Sequence, residues 1–471
     1  MKMNSKVYPR FAVVGHPNKG KSSIVSALAL DDSVQIGDTP GTTQVKRSFP
    51  LTIDGEKVYE LFDTPGFQRA RRVLGWLEKH GKNVSADKRT DIVRAFIEEH
   101  REDEKFQDEI ELLEPIVEGA GIIYVVDASK PYGPEYEVEM EILRWCGQPS
   151  MAILNLIGKE DYREQWKRAL GHYFRMVRTF NPMTAGFEEH IQLLEAMAQL
   201  KEEWIQAIKI AIKILHSLQE EKINQSTELI ATEMFKMLSF VHRKKITAQS
   251  ASEEEKKNAQ ENYRKQLLAY EKEEQGEIEV LWNHRGIEKK ETALFLDDVG
   301  LFSKESASIF GLSQKELMLT GVSAGAVTGA GVDLLFVGHT LLLGAALGGL
   351  VGGIGAMVGF DNIYSMKIMG QKLGKRELAI GPMQNMNFPY VVLGRAIYHA
   401  SIMITRSHAV RDDFVLEENF TQQIITVELR KKLEKIHTLL RKAEELSDTL
   451  KEEYKKVILE SLLNLIDRKN N

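Results

Sequence analysis

Gly15-His16-Pro17-Asn18-Lys19-Gly20-Lys21-Ser22 is the stretch that decides the first fold of this chain. It fits the pattern GxxxxGK[ST] in full. It follows the short apolar run Phe11-Ala12-Val13-Val14, which reads as a buried strand, and precedes Ser23 to Leu30, which reads as a helix. Strand, glycine loop and helix together are the context in which such a loop cradles phosphate. The glycines let the backbone approach an anion, successive N–H groups point inward, and the helix N-terminus adds positive potential. Lys21 is then placed to neutralise β- and γ-phosphate oxygens, and Ser22 to ligate Mg²⁺. Gly15, Asn18, Lys19, Gly20 and Ser23 complete the nucleotide-contacting set.

Downstream, the apolar run Val58 to Phe62 ends in Asp63-Thr64-Pro65-Gly66. An aspartate at a strand end can hold the shell of a Mg²⁺ ion, and the Gly66 N–H can sense a γ-phosphate. Between the two motifs lies Asp38-Thr39-Pro40-Gly41-Thr42-Thr43, where a switch loop belongs. Thr43, with Thr42 as the alternative, is expected to complete the Mg²⁺ shell when a triphosphate is bound. Lys21, Thr43 and Gly66 are thus the expected catalytic group, and Ser22, Thr43 and Asp63 the expected Mg²⁺ ligands. Ile122 to Val126 and Met151 to Ile157 read as further buried strands with helical stretches between them. That order predicts an α/β domain over residues 7–200, a mostly parallel sheet with helices on both faces. A helical insertion is expected at 67–118, its charges forming a solvated face.

The chain has 471 residues, a net charge of -6, 43% hydrophobic residues and a single cysteine, Cys146. That length calls for more than one core. The slight acidity argues against a dedicated nucleic-acid binder. One cysteine excludes an internal disulfide and any multi-cysteine metal site, and suits a reducing cytoplasm. Met1 to Arg10 lacks the apolar stretch of a secretory signal. The residues Glu202 to Lys290 contain no proline and are rich in Glu, Lys, Gln, Leu and Ile, which predicts long helices. The expected division is a helical domain at 201–310, a Gly-rich apolar helical hairpin at 311–365 and a C-terminal helical region at 366–471. The C-terminal half is therefore expected to be largely α-helical, interrupted by breaks around Gly381-Pro382 and Phe388-Pro389.

Asn18 beside Pro17, Pro40-Gly41-Thr42-Thr43 and Asp63-Thr64-Pro65-Gly66 together resemble the TrmE–Era branch of translation-factor-like P-loop GTPases over roughly the first 160 residues. The resemblance implies GTP and GDP as ligands, hydrolysis of GTP, and a K⁺ ion coordinated by Asn18 in place of an arginine finger. It also implies a nucleotide-dependent dimer formed through the switches. Phe67 stands where Ras-like relatives carry a catalytic glutamine, and Gln68 is one position off. In the base-reading motif NKxD, Asn155 is retained, Leu156 replaces the lysine and Gly158 the aspartate, while Asp161 is out of register. The carboxylate that selects guanine is thereby lost. Thr179-Phe180-Asn181 is a positional candidate for the later base loop. Asn155-Leu156-Ile157, the Gly-rich block, Arg395 and Arg406-Ser407-His408 further resemble a group of bacterial GTPases with a C-terminal domain of unknown function.

Between Leu317 and Phe360 the only charged residue is Asp333, and small residues recur at Gly321, Gly325 and Gly329 and at Gly344, Gly348 and Gly352. Such spacing lets helix backbones approach closely. One reading is a membrane hairpin: Thr340 to Phe360 approaches the ~20 residues of a span. Lys304, Lys315, Lys367, Lys372, Lys375 and Arg376 would then supply basic flanks. The other reading is a tightly packed helix pair in a soluble core. The leading expectation is a Mg²⁺-dependent, K⁺-stimulated GTP switch in the cytoplasm, acting at the inner membrane surface or on a protein partner. Its alternatives are a nucleotide-binding scaffold without turnover and a dynamin-like membrane-remodelling GTPase. His16 reads as a variable loop position, His339, His399 and His408 as structural or surface residues, Cys146 as buried, and Arg395 and Arg406, near His408, as surface salt-bridge partners in preference to an anion or lipid-headgroup site.

Overall fold

The computed structural model describes residues 8–29, 47–53, 56–246, 251–282, 296, 300–312, 364–370, 376–383, 385–405 and 420–470. Thr42, Thr43, the block from Leu317 to Phe360, and Arg406-Ser407-His408 lie outside these residues. The described residues up to Leu218 form one compact unit, and those from Gln219 onward a second.

In the first unit, β1 (Arg10–Val14), β2 (Arg47–Ile53), β3 (Glu56–Asp63), β4 (Gly121–Asp127), β5 (Ser150–Asn155) and β6 (Met176–Thr179) form one sheet in the order β2-β3-β1-β4-β5-β6. All neighbours pair in parallel except β2 with β3. The strands read from the sequence are β1, β3, β4 and β5. They are apolar on both faces because helices cover both, and β4 is buried along its whole length. β2 was not foreseen: Arg47-Ser48-Phe49-Pro50 has no clean alternation, and only an edge position tolerates its proline. Helices α1 (Lys21–Ala29), α5 (Glu135–Trp145), α6 (Arg163–Leu170) and α7 (Phe187–Ala198) follow β1, β4, β5 and β6. The segment after Asp63 forms three helices, α2 (Ala70–His80), α3 (Arg89–His100) and α4 (Gln107–Val117). Most of their charges face solvent, Glu109 of α4 being buried, while Val73, Leu77, Val93, Phe96, Ile110 and Leu113 join the core on one side of the sheet. A second core on the other side gathers Ile24, Leu28, Leu194 and Trp204.

The unit boundary falls within the long helix α8 (Glu202–Ser239). In the second unit α9 (Glu253–Leu281) starts on a capping box: the Ser252 Oγ accepts the Glu255 N–H at 3.1 Å and the Glu255 carboxylate accepts the Ser252 N–H at 2.9 Å. A three-stranded antiparallel sheet, β7 (His242–Ile246), β8 (Tyr364–Gly370) and β9 (Arg376–Met383), has β9 at its centre. It had no counterpart in the sequence reading, because β7 is His-Arg-Lys-Lys-Ile and its pairing is entirely long-range. Phe388-Pro389 opens a helix, Phe388–Thr405, rather than breaking one. Proline in the first turn gives up no intrahelical bond, and Asn385 Oδ1 accepts the Asn387 and Phe388 N–H groups at 2.8 and 3.1 Å. This helix is apolar nearly all round and correspondingly buried. Among the described residues no helix is long and apolar enough to cross a membrane.

Arg395 sits on that helix with 2% of its surface exposed, so the surface salt bridge expected for it is instead an interior one. Its Nε donates to Glu271 Oε1 at 2.5 Å, and its other nitrogens donate to Ser306 Oγ at 3.2 Å and the Leu296 carbonyl at 2.7 Å. His399, also on this helix, is 1% exposed, with its Nε2 3.6 Å from Glu279. Replacing Arg395 with methionine strands the buried Glu271 carboxylate. Urea denaturation should show a loss of about 3–5 kcal/mol, and the double change with Glu271→Gln a much smaller one.

Candidate nucleotide site

Because β1 pairs in parallel with β3 on one side and β4 on the other, the strand order reverses at β1. The crevice beyond the carboxyl ends of strands at such a reversal is where α/β sheets take ligands. Four strand ends meet there. β1 runs into Gly15, β3 ends at Asp63, β4 at Asp127 and β5 at Asn155.

The loop after β1 is shaped by backbone no ordinary side chain prefers. Gly15 has φ +141, Gly20 φ +83 and Asn18 φ 60. Gly15 lies against the Val125 carbonyl and Gly20 against the Asn155 amide so closely that a β-carbon would collide with either. Asparagine is among the residues that tolerate the left-handed region at Asn18. The Asn155 Nδ2 donates to the Lys19 carbonyl at 3.1 Å, tying the β5 end to the loop. α1 begins at Lys21, and its first internal bond runs from the Ile24 N–H to the Gly20 carbonyl at 3.0 Å.

Lys21 is 7% exposed, and its Nζ donates to the His16 carbonyl at 3.2 Å, which folds the side chain back over the loop. Burial pushes its pKa down to about 8, against the opposing pull of Asp63 and Glu139. Lys19 is also lowered, by burial first and then by the charge of Lys130. Its Nζ lies 5.8 Å from the centre of the Tyr136 ring. Ser22 Oγ donates to Asp63 Oδ2 at 2.7 Å, so the hydroxyl after Lys21 and the carboxylate ending β3 face one another. A hydroxyl and a carboxylate are oxygen donors, the chemistry a hard divalent cation prefers. Among the described residues no group of three or more His, Cys, Asp or Glu could hold a metal, so a cation here would need phosphate and water oxygens as well. Ser23 is half-buried on the next position of α1.

The loop after β3 is pinned to its neighbours. Thr64 Oγ1 donates to the Val13 carbonyl at 2.8 Å. Gly66 packs on Pro17, where a β-carbon would lie 2.6 Å from the Pro17 nitrogen. Phe67 is 2% exposed in the core, whereas Gln68 is exposed. Beyond β5, a β-carbon at Gly158 would come within 2.9 Å of Ser129 Oγ, so the position is crowded as well as lacking a carboxylate. Asp161 is clamped by Arg163, whose Nε lies 2.9 and 3.0 Å from its two oxygens. Asn181 Nδ2 donates to the Leu156 carbonyl at 3.3 Å, which holds the Thr179-Phe180-Asn181 loop beside the β5 exit.

The buried carboxylates that the sequence did not mark include two that hold the site loops. Glu139 on α5 accepts from Tyr124 OH at 2.8 Å, and its other oxygen lies 2.8 Å from His16 Nδ1. His16 is thus held by a residue 123 positions away in the chain. Glu109 on α4 is fully buried and bonds the loop after Gly66. Neither belongs to a motif, and only long-range packing reveals them. Cys146 is buried as expected, and burial pushes its thiol up to about 12.

Residues 167–464, more than half of the chain, match the family described as Domain of unknown function (DUF3482). Residues 10–156 match the family described as 50S ribosome-binding GTPase. GTPase Der of Agathobacter rectalis is 38% identical over 92 residues, 19% of this chain and 21% of that protein. GTPase Der of Coxiella burnetii is 32% identical over 123 residues, 26% of this chain and 27% of that protein. The matched stretch spans about a fifth to a quarter of the length of these curated relatives. The crystal structure of Aquifex aeolicus Era bound to GDP.AlF4- shares 12% identity at a TM-score of 0.25, covering 50% of this chain and 71% of that one. Another Era structure is in complex with MgGDPNP and a segment of 16S ribosomal RNA. The first unit is a P-loop G domain of the TrmE–Era kind, followed by a largely helical half.

The unfolded chain holds the Lys21 proton up to its ordinary value of 10.5, and the folded chain only to about 8. Between those values the unfolded state binds the extra proton, so folding gains as pH rises. Measured by urea denaturation without nucleotide, the wild-type protein should gain on Lys21→Met across that window by roughly 3 kcal/mol. An unchanged difference would show that Lys21 is not held in a desolvated site.

Proposed function

We propose, for a chain that belongs to the DUF3482 family and carries a G domain at residues 10–156, that it binds and hydrolyses GTP as a Mg²⁺-dependent molecular switch. One observation carries the reading: Ser22 and Asp63, from motifs 41 residues apart, meet at 2.7 Å beside the buried Lys21. In this reading Gly15 to Ser23 wrap the phosphates, and Lys21 neutralises the β- and γ-oxygens. Ser22 and Asp63 would hold a Mg²⁺ ion, which would supply positive charge against that developing on the phosphate oxygens. The Gly66 N–H and Thr43 engage the γ-phosphate and the ion, and their release on hydrolysis is the switching step. Asn155 supports the loop through the Lys19 carbonyl while facing the base. With Phe67 buried in place of a glutamine, turnover depends on a K⁺ ion held at Asn18 or on a nucleotide-dependent dimer. Action on a protein partner or a membrane surface belongs to the same proposal and rests on the basic residues flanking the Gly-rich block. Co-sedimentation with anionic liposomes tests the membrane arm, and a chain left entirely in the supernatant rules it out.

Lys21→Ala should weaken GTP and GDP binding at least about a hundredfold in calorimetry and abolish turnover. Wild-type binding without turnover would leave a scaffold instead of a switch. With Gly158 in the carboxylate's place, GTP and XTP should bind within about tenfold of one another. A preference for GTP of a thousandfold or more would mean that another residue supplies the missing acceptor.

Turnover in K⁺ should exceed that in Na⁺ by about tenfold. Asn18→Gly, which keeps the left-handed backbone accessible, should erase the difference. Equal rates in the two salts for the wild-type chain would end the K⁺ assignment.

A further inference from the structure

The loop that carries Gly66 is fixed at its start and at its end, and the end is held by a residue outside every motif. At the start, the Thr64 hydroxyl donates to the Val13 carbonyl near the end of β1. At the end, Glu109 Oε1 accepts both the Gln68 N–H at 2.9 Å and the Arg69 N–H at 2.5 Å. Glu109 has no exposed surface. Its carboxylate therefore caps the N-terminus of α2, whose cap residue Arg69 has no side-chain cap bond of its own. Charge-assisted bonds to two successive amides fix both direction and register of the chain there.

Between the two anchors, two residues of the loop are held by packing. Gly66 touches Pro17 of the phosphate loop, and Phe67 is sunk in the core beneath the sheet. Glu109 stands on α4, a helix that leads through Gly119 and Ala120 straight into β4, whose far end borders the site at Asp127. A functional group is best held by a residue whose own element is rigid.

We propose that Glu109 is a positioning residue for hydrolysis: by binding the Gln68 and Arg69 amides it sets the Gly66 N–H at the place of the γ-phosphate. The inference rests on the switch reading above, since it needs Gly66 to meet that phosphate. An amide displaced by about 1 Å loses on the order of a hundredfold in rate, while a diphosphate, which never reaches Gly66, binds unchanged.

The test uses the full chain, with steady-state hydrolysis of GTP and equilibrium binding of GDP. Glu109→Ala should lower kcat by about tenfold or more and leave the Kd for GDP within about twofold. Glu109→Gln, which keeps an acceptor oxygen at the same reach, should recover most of the lost rate. A merely structural role would weaken GDP binding and turnover together, with Glu109→Gln no better than alanine, and that result overturns the proposal, as does a normal kcat in Glu109→Ala. If the alanine variant does not fold, Glu109→Asp, shorter by one methylene, should still lower kcat at unchanged GDP affinity, and wild-type turnover in it sinks the idea. A wild-type chain that hydrolyses no GTP fails at the switch reading itself, whereas turnover that ignores Glu109 fails here alone.

Discussion

The parallel pairing of β1 with β3 on one side and β4 on the other is the constraint on which the first unit rests. A strand flanked in this way needs helical crossovers on both faces of the sheet, which puts every loop that matters at one edge. It also sets Val13 opposite Asp63, so the phosphate loop leaves the sheet beside the carboxylate that ends β3. The bond from Ser22 to Asp63 and the contact of Gly66 with Pro17 follow from that register. Two cationic side chains are buried at this edge, and neither would be tolerated without Asp63, Glu139 and Asp127 nearby. The site is thus assembled with its positive charge already desolvated, which strengthens its attraction for phosphate.

The second unit solves a different problem. Its core holds a long apolar helix, but also Arg395, Glu271, Glu274, His399 and His437. Arg395 is matched by a carboxylate, a hydroxyl and a carbonyl, so its burial is compensated by directed bonds. Elsewhere the interior moves groups toward neutrality. Burial raises Glu274 well above the usual carboxylate range, brings Glu233 up to about 7 and drives His437 well down. Such a core meets the cost of buried charge in two ways, by directed bonds and by neutralisation.

Much of the first unit was legible because its signals are local. Strands β1, β3, β4 and β5 are short apolar runs, and those of β1, β3 and β5 lead into Gly15, Asp63 and Asn155, residues of recognisable chemistry. The three helices after Asp63 carry their own amphipathic spacing. β2 and β7 were not legible, since edge strands need no apolar alternation, β2 carries a proline, and the partner of β7 lies more than a hundred residues away. Arg395 was misread as a surface residue for a similar reason. An arginine in an apolar helix is buried only if distant residues supply acceptors, and Glu271 lies 124 positions away.

The sequence by itself determined the phosphate loop, the aspartate that ends β3, the absence of a carboxylate at Gly158 and the change to long helices after Glu202. Each follows from residue types at fixed short spacings, which dictate backbone freedom, charge and periodicity before any tertiary contact forms. Only the tertiary structure decided what surrounds them. It placed Glu139 against His16, Glu109 against the loop after Gly66, and Ser129 against Gly158. Those neighbours are joined by packing between elements remote in the chain, and no local pattern of residues encodes which buried carboxylate will meet which backbone amide.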